Sequence, residues 1–103
     1  MSPSEVLALT SEELALVRAV LARSLPGATA WVYGSRATGN PKPFSDLDLA
    51  VDAGAPLSLD VLAELRESFD ESSLPFKVDV TDLQACDVAF AAIIAGQRVP
   101  LGE

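Results

Sequence analysis

The stretch GSRATGNPKPFSDLDLAV, running from Gly34 to Val51, decides how this chain is read. It opens with a glycine and a hydroxyl. A segment rich in Gly, Asn and Pro follows, Gly39-Asn40-Pro41-Lys42-Pro43, whose composition predicts a loop. It then closes on a strict alternation from Asp46 to Asp52. Because side chains on a strand point to opposite faces in turn, Asp46, Asp48, Ala50 and Asp52 share one face, and Leu47, Leu49 and Val51 share the other. One strand thus carries an apolar face for a core and two carboxylates side by side on its reverse. Just before Gly34, the run Ala28 to Tyr33 has β-branched and aromatic residues on both parities, which predicts a central strand covered on both faces, with Trp31 and Tyr33 in the core. At most one turn of helix fits after Gly34.

Working outward, Thr10-Ser11-Glu12-Glu13 has the hydroxyl and the acid three positions later that satisfy the first free N–H groups of a helix. Leu14, Val17, Leu21 and Leu25 then form one stripe at helical spacing, with Arg18 and Arg23 off it, until Pro26-Gly27 ends the pattern. Beyond the Ala53-Gly54-Ala55-Pro56 turn, Ser58 is placed to cap a helix that turns Val61, Leu62, Leu65 and Phe69 inward. That helix leaves Glu64, Arg66, Glu67 and Glu71 to solvent and ends near Ser72-Ser73. Phe76 to Asp82 alternates again, with Lys77, Asp79 and Thr81 on one parity. A strand, helix, strand passage of this length normally makes neighbouring parallel strands, which would set Asp79 beside Asp46 and Asp48. A last helix is predicted over 87–95, closed by Gly96, with a tail from Arg98 to Glu103. Asp52 and Asp82 fall where strands end, and turn formation accounts for them. The apolar segment from Ala89 to Ala95 reads as core, or in part as a partner interface.

Composition narrows the chemistry. The chain has 103 residues, 7 Lys and Arg against 15 Asp and Glu, no His and one Cys. That length predicts a single domain, residues 1–103. A formal charge of −8 argues against binding duplex nucleic acid through phosphate contacts. A lone Cys86 makes no internal disulfide, and without His the usual zinc ligand sets, the Ser-His-Asp scheme and the commonest general base are all missing. Chemistry here must run on carboxylates, hydroxyls and hard divalent cations such as Mg²⁺. Neither a basic leader nor an apolar run long enough for a bilayer is visible, so the expectation is a cytoplasmic protein without a membrane partner.

Gly34-Ser35, ten residues, then Asp46-Leu47-Asp48 gives the pattern GS-x10-DxD, and by this pattern the chain resembles the minimal nucleotidyltransferases of the DNA polymerase β superfamily. The segment KVDV around Asp79 is similar to the one that supplies their third carboxylate. The resemblance implies an α/β fold with a small mixed sheet flanked by helices. It implies ATP as substrate, with two Mg²⁺ ions held by Asp46, Asp48 and Asp79, and Asp79 as the base toward the attacking hydroxyl. Gly34, Ser35 and Arg36 are implied to grip the nucleotide. The residue types suit that chemistry independently: nucleotidyl transfer must neutralise a triphosphate and align a hydroxyl, and strand carboxylates at i and i+2 point the same way toward shared cations. Three clustered carboxylates would repel one another without such cations.

Aminoglycoside nucleotidyltransferases and template-dependent polymerases of this superfamily carry further acceptor-binding domains, for which this length is expected to leave no room. Stand-alone proteins similar to this one are commonly antitoxins encoded beside a HEPN-domain toxin. The resemblance therefore implies AMP transfer from ATP to a Tyr hydroxyl of that toxin. Two other readings stay open at this point: a binding module that neutralises its partner by contact alone, and nucleotidyl transfer to a small molecule or nucleic-acid end.

Overall fold

The computed structural model describes residues 9–38 and 46–101; the predicted loop over 39–43 lies outside them. Helix α1, Ser11–Ser24, begins at the capping box read from the sequence: the Thr10 hydroxyl accepts from the Glu13 N–H, and the Glu13 carboxylate accepts from the Thr10 N–H. Its stripe Leu14, Val17, Leu21 with Leu25 beyond is buried, and Val20 joins it. Arg18 lies beside the stripe and donates two hydrogen bonds, of 3.0 and 2.8 Å, to the Leu101 carbonyl, tying α1 to the far end of the chain.

Strand β1, Thr29–Tyr33, leads through Gly34 into a single helical turn, α2, Ser35–Thr38. Strand β2, Leu47–Asp52, returns antiparallel to β1, pairing Thr29 with Asp52 at one end and Tyr33 with Asp48 at the other. Helix α3, Leu59–Asp70, capped by Ser58, then crosses over to β3, Val78–Asp82, which runs parallel to β2. Helix α4, Val88–Ala95, starts at Asp87, whose carboxylate accepts from the Ala89 N–H. A fourth strand, β4, Val99–Pro100, pairs antiparallel with β1. The sheet order is β3-β2-β1-β4, a mixed sheet with helices beside it, as the sequence implied.

The sequence predicts no strand in the tail, and its composition explains why. Two residues, one of them proline, carry no alternation, and proline is tolerated there because β4 is an edge.

The alternation in β2 and β3 decides which face of the sheet is core. Val32, Leu47, Leu49, Val51, Val78 and Val80 are all at most 5% exposed and pack with the α1 stripe, Leu65 and Phe69. Burying each such side chain stabilises the fold by roughly 1.5–3 kcal/mol. The charged positions assigned to solvent on α3, namely Glu64, Arg66, Glu67 and Glu71, are exposed.

Two expectations are corrected. Trp31 and Tyr33 are half-buried and lie outside the core cluster, because their parity puts them on the reverse face of the sheet with Asp48 rather than with Val32. The apolar segment Ala89 to Ala95 is not core: within α4 only Ile94 is buried, whereas Ile93 is 59% and Phe90 40% exposed. Among the described residues no helix is long and apolar enough to cross a membrane.

Candidate active site

The reverse face of the sheet brings the acidic residues together. In the parallel β2–β3 ladder Asp48 and Asp79 are register partners, so their side chains project from the same face of adjacent strands. Asp46 immediately precedes β2 and is exposed. The first ladder bond, from the Leu47 N–H to the Lys77 carbonyl at 2.8 Å, locks the strand start between Asp46 and Asp48. Burial holds the half-buried Asp48 carboxyl above its usual range, and the negative charges of Asp79 and then Asp46 push it further the same way. The three carboxylates therefore feel one another.

The glycine loop closes over this face from the end of β1. Gly34 has φ +75°, a left-handed conformation that favours glycine, and its carbonyl accepts from the Ala37 N–H at 3.1 Å to start α2. A Cβ at this position would run into the Asp48 carboxylate, whose Cγ would lie 3.3 Å away. Gly34 is thus glycine for two reasons: its backbone angle and the carboxylate it faces. Ser35 stands exposed at the first position of α2. Arg36 is only 6% exposed, with its guanidinium 4.2 Å over the Phe76 ring, so its charge is set within the loop's support and not on an open surface.

Three residues at the site escaped the sequence reading. The Gln97 side-chain carbonyl accepts from the Gly34 N–H at 2.7 Å, a contact across 63 positions that no local pattern announces. Tyr33 stands opposite Asp48, and its hydroxyl is 2.9 Å from the Thr81 hydroxyl, so the ring spans the face from β1 to β3. Burial first, partly offset by the Thr81 hydrogen bond, and then Asp48 and Asp79 keep the phenol protonated above its usual range. For Tyr33 and Thr81 the usable signal was parity: both share the face of Asp48 and Asp79.

Asp52 and Asp82 are at the other end of the strands and serve turns. Asp52 accepts from the Gly54 N–H and the Gln84 side chain, and the buried Asp82 accepts from the Leu57 and Gln84 N–H groups.

An acidic set of hard oxygen donors suits a divalent cation such as Mg²⁺, and the mutual repulsion at Asp48 is the feature such an ion would relieve. Among the described residues no three acidic or thiol side chains are already gathered as a closed ligand set.

The polymerase β nucleotidyltransferase family model matches residues 18–101. The chain is 42% identical over 95 residues to a probable protein adenylyltransferase, MntA, of Haemophilus influenzae, covering 92% of this chain and 83% of that protein. Its fold matches a toxin–antitoxin crystal structure with AMP-PNP at a TM-score of 0.75 and 24% identity, over 86% of this chain and 72% of the other. It matches an MntA–HepT toxin–antitoxin structure at 0.70 and 21%, over 90% and 72%. With the paired strand aspartates, the glycine turn and these likenesses together, the chain belongs to the polymerase β nucleotidyltransferase family.

Proposed function

We propose that this chain is an antitoxin-type protein adenylyltransferase, which moves AMP from ATP to a tyrosine hydroxyl of a HEPN-type toxin partner in the cytoplasm. The observation that carries the reading is the register pairing of Asp48 with Asp79 directly beneath the side-chain-free Gly34. This sets a carboxylate pair on one face with the backbone of the glycine turn held close against Asp48. The 42% identical relative that bears the name of a protein adenylyltransferase supports the acceptor class. The likeness to structures of toxin–antitoxin complexes supports the kind of partner.

In this reading the backbone N–H groups at the start of α2 and the Ser35 hydroxyl hold the terminal phosphates, and Arg36 contributes its charge from within the loop. The acceptor oxygen bonds to the α-phosphorus as the bond to the β-phosphate oxygen breaks; Asp79 takes the hydroxyl proton, and pyrophosphate leaves. Two Mg²⁺ ions at Asp46, Asp48 and Asp79 would neutralise the triphosphate and the departing pyrophosphate.

The test incubates the chain and Asp48→Asn with HepT, Mg²⁺ and ATP labelled at the α- or the γ-phosphate. HepT should gain label from α-labelled ATP alone, with the wild-type chain alone. An HepT complex that forms but gains no label refutes the reading. An Asp48→Asn variant that silences the toxin as fully as wild type assigns neutralisation to binding alone.

A further inference from the structure

We propose that the outer face of α4 is the surface on which the protein acceptor docks, bringing its hydroxyl to the Asp48–Asp79 face. The identity of that acceptor rests on the reading above; the surface itself does not. All eight residues of α4 are apolar, and a helix that is apolar all round belongs inside something. Here it is mostly outside: Val88 is 84%, Ile93 59% and Phe90 40% exposed, with Ile94 alone fully buried. Among the described residues Val88 and Ile93, with the open side of Phe90, form an exposed apolar surface on an acidic protein.

The helix is fixed beside the reacting groups at both ends. The Phe90 ring meets Tyr33 edge to face, centroids 6.0 Å apart, and Tyr33 is the register partner of Asp48. Just past the helix, Gln97 holds the Gly34 N–H, and the Arg98 guanidinium lies 4.2 Å over the Trp31 ring on the same sheet face. Whatever covers the open side of Phe90 is therefore seated beside Tyr33, the register partner of Asp48.

Charge selects the occupant. A formal −8 repels nucleic acid and anionic lipid, and it also repels a second copy, which would bring −8 against −8. A protein with an apolar patch in a basic surround complements both the apolar helix and the net negative charge of the chain.

The experiment measures HepT binding to the full chain by calorimetry, with Ile93→Lys on the patch and Leu59→Lys as control. Leu59 is 85% exposed at the first position of α3, on the far end of β2, and the control changes charge by the same amount. Ile93→Lys should weaken HepT binding roughly tenfold or more, with Leu59→Lys within about twofold of wild type and MgATP binding unchanged in both. The proposal is overturned if Ile93→Lys binds as wild type, if both variants weaken alike, or if the wild-type chain does not bind HepT. A homodimer of the chain alone that Ile93→Lys dissociates also overturns it. A complex that needs Ile93 yet transfers no AMP sinks the transfer reading and leaves the docking surface standing.

Discussion

Replacing Asp48 by Asn should stabilise the metal-free fold while abolishing transfer. Neighbouring strands lie about 4.8 Å apart, so the register-paired carboxylates of Asp48 and Asp79 face each other across about 5 Å. At that separation like charges repel by about 0.8 kcal/mol in water and about 3 kcal/mol at an effective dielectric of 20. Asp48 is half-buried and Asp79 exposed, so solvent screening holds the relief near the low end, about 1 kcal/mol. In a domain of this size that raises the melting temperature by roughly 4–8 °C. The sign follows from linkage. Asp48 titrates above 3.8 in the folded chain, so its contribution is fully present below that value and is lost as pH rises through the raised folded pKa. Asp52 acts oppositely: its hydrogen-bonded carboxylate titrates below 3.8, and its contribution is lost as pH falls. Subtracting the variant's curve from that of wild type isolates Asp48. The assay is thermal denaturation by circular dichroism in EDTA at pH 7, at low and high salt, then with Mg²⁺. The gain should shrink as salt rises, and Mg²⁺ should raise the melting point of wild type more than that of the variant. An Asp48→Asn protein that melts at or below wild type in low-salt EDTA would refute the account of a charge-strained site.

Further outcomes follow from the same geometry. Gly34→Ala should lose transfer, because its Cβ displaces the Asp48 carboxylate, and it should also bear the left-handed backbone cost of about 1–2 kcal/mol. Gly27→Ala, at φ +85° with open space around it, should bear only that backbone cost in a urea titration and keep full activity. Asp82→Ala leaves the Leu57 and Gln84 N–H groups without their acceptor and should cost about 2–4 kcal/mol by denaturant midpoint, with turnover unchanged below the melting transition. Thr10→Ala removes half of the α1 capping box and should cost about 1 kcal/mol by the same measure.

The fold was legible where alternation and capping are local. The DLDLAVD and KVDVTD alternations placed Asp48 and Asp79 on one face, and the intervening helical stripe implied the parallel pairing that the ladder displays. Parity says which residues travel together, however, and not which face is covered. Large apolar side chains are usually core, which is why Trp31 and Tyr33 read that way, yet they share a parity with Asp48, and Tyr33 stands directly opposite it. Arg36 shows another limit of local reading: its guanidinium lies over the Phe76 ring, a contact between distant parts of the sequence that no local spacing encodes. Gln97 and β4 depend on the chain's end folding back on β1, which no local spacing encodes.

The face that carries chemistry is also the face that the fold leaves short of cover. Among the described residues, core packing from α1 and α3 serves the side of Leu47, Leu49 and Val80, and the reverse side receives the eight-residue α4 with its Phe90–Tyr33 contact and Arg98 over Trp31 just beyond it. In this chain the acidic groups and the apolar α4 are left adjacent, so the same exposed strip that costs stability in isolation gives an incoming protein both a place to sit and a route to the carboxylates. On this logic partner binding and catalysis should be separable by mutation: Asp48→Asn should remove transfer and spare the complex, whereas Ile93→Lys should weaken the complex and spare the nucleotide site.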